Sequence, residues 1–240
     1  MSNRAMSPKR LARFAGLLYL LVGLFGGFAE GFMEPKMYVA GNAAATAHNV
    51  VANAGLVRLG VVADLLDQAI FVFLAMALFV LLKHVNKGVA AAMVILVAIA
   101  AGIGSLNAVF EFDGLRVATD SSFAAGLGTA GSNAVVMLLL DAQHYGLLID
   151  QIFFGLWLAP LGYLVYKSGL FPKTLGVALI LGSVCYIVDL LVLFLAPDIG
   201  QRIASFVVIP SALAEIWTVG YLLVIGVRTA APGRATAAAA

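Results

Sequence analysis

Charge is scarce in this sequence. Only 11% of its 240 residues are Asp, Glu, Lys or Arg, and 63% are hydrophobic. A soluble domain carries about 25% charged residues. Too little polar surface remains to cover a water-exposed globule, so lipid must be the main solvent. Cysteine occurs once. Cys185 therefore has no intrachain disulfide partner, and in mid-apolar run it reads as a small packed hydrophobe. It does not fix the redox compartment. Histidine occurs three times, as His48, His84 and His144, which limits any metal chemistry. The formal net charge of +2 says little about partners, and no nucleic-acid partner is expected.

What the chain has in quantity is long apolar runs. About 20 residues at 1.5 Å each cross a bilayer. Runs of that kind lie at 14–33, 59–82, 88–110, 146–166, 174–195 and 203–227. They predict an all-α polytopic membrane protein, a bundle of six transmembrane helices. Residues 1–13 form a basic segment, 14–227 the transmembrane domain, and 228–240 an Ala-rich tail predicted to be disordered. A signal peptide ending near Ala29-Glu30-Gly31 is the competing reading of the N-terminus. That first apolar run is long for such a leader.

Orientation follows from the basic residues. With the N-terminus inside, the inner segments hold Arg4, Lys9, Arg10, Arg13, Lys83, Lys87, Lys167, Lys173, Arg228 and Arg234. The outer side holds Lys36, Arg58, Arg116 and Arg202. Both termini are then cytoplasmic, and the expected location is the cell (cytoplasmic) membrane.

Between the spans, 34–58 reads as an Ala/Asn/Gly-rich loop, part of it a short helix on the membrane. Residues 112–133 read as a flexible loop. They contain Gly126-Leu127-Gly128-Thr129-Ala130-Gly131, a formal G-x-G-x-x-G. A dinucleotide site would need a preceding strand and a βαβ unit, and neither is expected here. Residues 133–145 read as a helical extension into the fourth span. Gly23, Gly27 and Gly31 recur every four residues and are expected to touch another helix. Gly27→Leu should then destabilise the fold. Pro210 is expected to kink the sixth span and free the carbonyl of Phe206.

Acids inside membrane spans are costly and point to function by default. Each span carries a polar face: Glu30, then Asp67 with Gln68, Asn107, His144 with Gln151, Asp189, and Glu215. Desolvation favours turning these faces inward. They are expected to line one outward-opening cavity, with Asp189 and Glu215 at its floor. The bland alternative places Asp64, Glu111, Asp141 and Asp150 at headgroup level and lets Arg58 or Arg202 neutralise some acids.

Sharper chemistries lack their residues. Asp141 and His144 have i, i+3 ligand spacing, but catalytic zinc usually takes several histidines and di-iron bundles two Glu-x-x-His pairs. No metal or other cofactor is expected. Ser105, Ser183 and Ser211 are conceivable nucleophiles, yet there is no G-x-S-x-G. The leading expectation is a pocket for a small ligand, ion or lipid headgroup, serving transport or sensing. One rival is a membrane enzyme using the carboxylates and His144 on a lipid-borne substrate, with catalytic residues unknown. Another is an accessory protein whose polar groups lock helix packing. Inverted repeats would favour transport, but the halves show no convincing similarity. Ligand identity and oligomeric state are not encoded legibly.

Four ordered phrases carry a family resemblance: RLARFAGLLYLLVGLFGGFAEGF, LVRLGVVADLLDQAIFVFLA, QHYGLLIDQIFFGLWLAPLGYLVYKSG and ALAEIW. Over residues 11–227 the chain resembles a bacterial membrane-protein family, domain of unknown function 4386. The resemblance implies a multi-pass membrane protein of this size. It implies no activity, substrate or catalytic residue.

Overall fold

The structure, a computed structural model, describes residues 6–228 apart from the side chains of residues 201, 204 and 205. Arg4 and Arg234, and the tail beyond 228, lie outside the described residues. The described residues are helical throughout, with no strand. Helix α1 is Pro8–Gly26, continued by a π-helical segment Gly27–Met33 and a last turn α2, Glu34–Met37. Then follow α3 (Ala43–Ala52), α4 (Ala54–Leu82), α5 (Lys87–Thr119), α6 (Ser121–Ser168), α7 (Lys173–Leu195), α8 (Pro197–Val207) and α9 (Ile209–Val224). Five helices are long and apolar enough to cross a membrane: Pro8–Met37, α4, α5, α6 and α7. The sixth apolar helix, α9, is shorter, at 16 residues. The fold is an all-α polytopic bundle.

The start of α1, the α6–α7 turn and the end of α9 meet at one end of the bundle. Arg13 Nη2 donates to the Val224 carbonyl at 3.0 Å, and the Arg228 N–H donates to the Leu170 carbonyl at 2.9 Å. Gly169, at φ +69°, closes α6 in the left-handed conformation that ends many helices. An apolar core fills this half, built on Tyr19, Phe71, Leu74, Trp157, Leu158, Leu161 and Leu179. A second apolar core holds Met33, Met37, Val50, Val57, Leu115, Val136 and Leu140. Between these two sets stand the buried Asp67 and Gln68 on α4, Asn107 and Glu111 on α5, and Gln143 and Asp150 on α6. The molecule has two dry cores with a polar band between them.

Several boundaries differ from expectation. The third helix does not stop at 110, and 112–133 is not a loop. Helix α5 runs to Thr119, and Asp120 alone separates it from α6. The Asp120 side chain accepts the Ser122 N–H at 2.9 Å and caps α6. The glycine run merely breaks α6 at Gly128, where φ is +71° and ψ 160°. Both helices keep going because Leu115, Val117, Val136 and Leu140 have apolar surface to bury against α2, α3 and the start of α4. At 33 residues α5 is ~50 Å long, well beyond a ~30 Å hydrocarbon layer. Residues 34–58 are also mostly helical, and α3 is pinned by Thr46, whose hydroxyl accepts the Val39 N–H at 3.0 Å.

The expected single helix over 203–227 is broken. Helix α8 folds back on α7 after a turn at Ala196, so closely that a Cβ at Gly200 would lie 2.6 Å from Leu193 Cα. Pro210 sits in the first turn of α9, where its missing N–H leaves no bond unmade. It starts a helix instead of kinking one.

The glycine face on α1 is a second correction. A Cβ at Gly23, Gly27 or Gly31 would meet nothing within 4 Å. The close approach on this helix is at Gly16, where a Cβ would lie 2.8 Å from Leu222 Cβ. Gly23 and Gly27 border a cavity instead. We therefore expect Gly27→Leu to fold with its thermal midpoint unchanged or raised, since Gly is about 0.8–1 kcal/mol worse than Ala in a helix and Leu ranks just below Ala. A fall of more than a few degrees in detergent would restore the packing-face reading.

Candidate functional site

The cavity has a volume of about 430 Å³, within the ordinary range for small-molecule sites. One wall is the C-terminal end of α1 and its π-helical continuation, with Gly23, Gly26, Gly27, Glu30 and Glu34. The opposite wall is α6, with His144, Leu147, Leu148, Gln151 and Phe154. Asp67 of α4, Tyr186 of α7, and Val208 and Glu215 beside and on α9 complete it. Single-turn π-helical segments within α-helices concentrate at functional sites, and Glu30 lies on this one.

Five of the eight expected residues line the cavity: Glu30, Asp67, His144, Gln151 and Glu215. Glu30 is open to it and Asp67 is nearly enclosed. The Glu215 carboxyl accepts hydrogen bonds from Tyr19 at 2.9 Å and Tyr186 at 3.0 Å. These hydroxyls, from α1 and α7, fix its position. His144 Nδ1 lies 2.8 Å from Glu34 Oε1. The Tyr38 ring stacks on the imidazole with centroids 4.9 Å apart, and its hydroxyl donates to Asp141 Oδ1 at 2.6 Å. Partial burial and then that hydrogen bond push the Tyr38 hydroxyl well above its ordinary titration range. It stays a donor at neutral pH.

The other three expected residues do not line the cavity. Asp189, expected at the floor, is buried behind it and accepts the Gln151 amide at 2.7 Å. It orients Gln151. Gln68 is buried against Gly104 of α5, and Asn107 against Gly146 of α6. In both cases a glycine on the facing helix leaves the space the amide fills. Glu34, Tyr19 and Phe154 are not among the expected residues, and Tyr186 is expected only as sharing a face of its span with Gly182 and Asp189. Glu34 carries no α-helical signal, because the π-helical segment before it shifts the register and Pro35 reads as a helix end.

Asp64, Glu111 and Asp150 are not part of the cavity lining. Asp64 faces Glu111. Glu111 and Asp150 are fully enclosed; Asp150 has no hydrogen-bond partner, and Glu111 has only the facing Asp64 carboxyl. Headgroup placement does not describe these two. Nor do Arg58 and Arg202 neutralise the acids. Among the described residues the ion pairs are Arg116–Asp113 and His144–Glu34. Also among the described residues, no group of three or more His, Cys, Asp or Glu side chains could hold a metal ion. Enclosing a carboxyl without a partner is destabilising, and replacing buried charge with neutral groups is often neutral or stabilising. Glu111→Gln is thus expected to unfold at the wild-type temperature or above. A drop of several degrees would show that this carboxyl stabilises the fold.

Comparison with known families decides the relationship. The profile of a domain of unknown function, DUF4386, matches residues 14–226. The chain belongs to the DUF4386 family. Every cavity residue named above lies inside the matched stretch. An uncharacterized protein of Archaeoglobus fulgidus is 45% identical over 64 residues, which is 26% of this chain and 40% of that protein. The match thus spans less than half the length of that relative. No solved structure matches the chain. The DUF4386 chain described here is a multi-pass membrane protein with helices suited to a lipid bilayer.

Proposed function

We propose that this protein binds a small organic cation, free or as the headgroup of a larger molecule, in the cavity between α1 and α6, for transport or sensing. The observation that carries the reading is the set of carboxyl groups in the cavity wall. Glu30, Glu34, Asp67 and Glu215 all line it, and its one basic residue, His144, is already engaged by Glu34. A carboxyl in so apolar a setting ionises only with a partner, and an incoming cation supplies one and favours the carboxylate. The rings of Phe154 and Tyr186 are at hand for a quaternary or protonated amine. A packing lock requires no cavity, whereas here Asp67 and Glu215 share one.

Tetraethylammonium is a suitable probe for thermal unfolding of the purified full-length protein. At a hundredfold excess over its Kd a ligand stabilises by about 2.7 kcal/mol, which is several degrees for a chain of this size. Tetraethylammonium should raise the midpoint saturably and benzoate should not. No shift with this or any other organic cation would sink the proposal.

The proposed setting is the cytoplasmic membrane, with a basic segment at 1–13, the helical domain at 14–227 and a tail from 228, both ends facing the cytoplasm. A reporter fused after Gly88 should then be cytoplasmic and one inserted at Gly128 extracytoplasmic. Both on the same side would overturn this orientation.

A further inference from the structure

Glu215 borders more than the cavity. A second hollow of about 300 Å³ lies between α1 and α9, lined by Tyr19, Leu20, Gly23, Leu24, Glu215, Ile216 and Val219. It shares Gly23 and Glu215 with the acid-lined cavity. Its character is different. Apart from the Glu215 carboxyl and the Tyr19 hydroxyl, its side chains are apolar, and Leu24 and Ile216 are exposed on the outside of the bundle. In a membrane-spanning bundle such a surface faces lipid tails. A carboxylate half-exposed at the bottom of a lipid-facing groove is costly to maintain. Tyr19 and Tyr186 donate to one oxygen each, which holds the carboxyl in place and leaves each oxygen a further lone pair for a ligand.

The same junction is kept narrow on the chain side and open on the ligand side. Gly23 has no side chain, and a Cβ there would meet nothing within 4 Å. Any larger residue would stand between groove and cavity. The two hollows adjoin at Gly23 and Glu215, which line both, and Leu24 and Ile216 stand at the outer side of the second.

We infer that the groove between α1 and α9 is a lateral portal for a cationic amphiphile, whose charged head sits in the acid-lined cavity while its alkyl tail lies along the groove toward lipid. This rests on the cation-binding reading above and names the ligand class for the same site. The occupant follows from charge and adjacency: carboxyls without a free cation line one hollow, exposed leucine and isoleucine border the other, and Gly23 and Glu215 line both. Tail burial adds little affinity, because lipid is as apolar as the groove. What the groove provides is a route by which the head reaches Glu215 without the tail entering water.

The test is where the tail lies. An alkyltrimethylammonium with a diazirine near the end of a dodecyl chain is photolysed with the full-length protein in phosphatidylcholine nanodiscs, and adducts are mapped by peptide mass spectrometry. Adducts should concentrate on Leu20, Leu24, Ile216 and Val219, about tenfold over lipid-facing Ile95 and Ile99 of α5, the ratio that ~1.4 kcal/mol of head-group preference gives. Excess tetraethylammonium should abolish the concentration, as should Glu215→Gln. Leu24→Trp, which narrows the groove alone, should disperse the adducts while tetraethylammonium binding stays as in wild type. Adducts spread evenly over the lipid-facing surface, with tetraethylammonium still binding, would overturn the portal and leave the cation site standing. Failure of tetraethylammonium to bind would overturn both.

Discussion

Gly162→Leu and Gly176→Leu should each fail to give folded protein. Helices α6 and α7 meet backbone to backbone at this point. A Cβ on Gly162 would lie 2.7 Å from the Gly176 carbonyl oxygen and 3.0 Å from the Ile180 amide nitrogen. One on Gly176 would lie 2.7 Å from the Gly162 carbonyl oxygen and from the Tyr166 amide nitrogen. Backbone atoms cannot swing aside as a flexible side chain can. The helices must separate, and Leu158, Leu161, Leu175 and Leu179, all fully buried nearby, would lose their contacts. Overpacking a core typically costs 1–3 kcal/mol, occasionally more, and forcing two backbones apart belongs at or beyond the top of that range. Against a total stability of about 5–15 kcal/mol, a loss at the top of that range lowers the thermal midpoint by many degrees, and the loss of helix contact beyond it leaves little folded protein. Size-exclusion chromatography of the detergent-solubilised variants checks it. Monodisperse protein at the wild-type elution volume with an unchanged thermal midpoint would refute the contact. The contrast with Gly27→Leu, expected to fold, makes the pair diagnostic.

Glu215→Gln combined with Asp67→Asn should abolish cation binding while leaving the protein folded. Both substitutions keep size and shape and remove only charge. The side-chain amide that Glu215→Gln introduces can still accept a tyrosine hydroxyl, and Asp67 has one oxygen with no partner to lose. Removing one member of a desolvated, hydrogen-bonded charge pair costs about 2–5 kcal/mol in binding, so each substitution should weaken affinity at least about thirtyfold. Tyr186→Phe deletes one hydroxyl that holds Glu215. It should weaken binding by about 1 kcal/mol, the worth of an ordinary hydrogen bond. Equal binding by the double variant and wild type would place the ligand elsewhere or nowhere.

The apolar spans were legible because hydropathy alone marks where a helix enters lipid. Their ends were not, because a helix continues for reasons unrelated to lipid. Residues 112–119 contain Glu111's neighbours Asp113 and Arg116, which pair at 2.9 Å, and they read as a loop by polarity. They remain helical because Leu115 and Val117 find partners on α3 and α6, a tertiary fact. Pro210 was legible as a helix disruption but not as a helix start, since that depends on the fold-back of α8.

The polar faces show the same limit. That Glu30, Asp67, His144, Gln151 and Glu215 would point inward followed from desolvation, and they line one cavity. Whether an inward polar side chain meets open space or a neighbour depends on the register between helices. Gln68 meets Gly104 and Asn107 meets Gly146, pairings that no single-helix wheel reveals. The π-helical segment at Gly27–Met33 shifts the register of α1, so the facing of Glu34 could not be read from a 3.6-residue period. The Gly23/Gly27/Gly31 repeat misled for a related reason. Small residues permit close approach but do not demand it, and here they keep space open.

The central claim is that the acids of this membrane bundle form one site for a cation. Equilibrium dialysis of radiolabelled tetraethylammonium against the full-length protein in nanodiscs tests it most directly. The account predicts saturable binding of one cation per chain, lost in the Glu215→Gln, Asp67→Asn double variant and retained in Glu111→Gln, whose carboxyl is enclosed away from the cavity. Absence of saturable binding to wild type, or undiminished binding to the double variant, would contradict it.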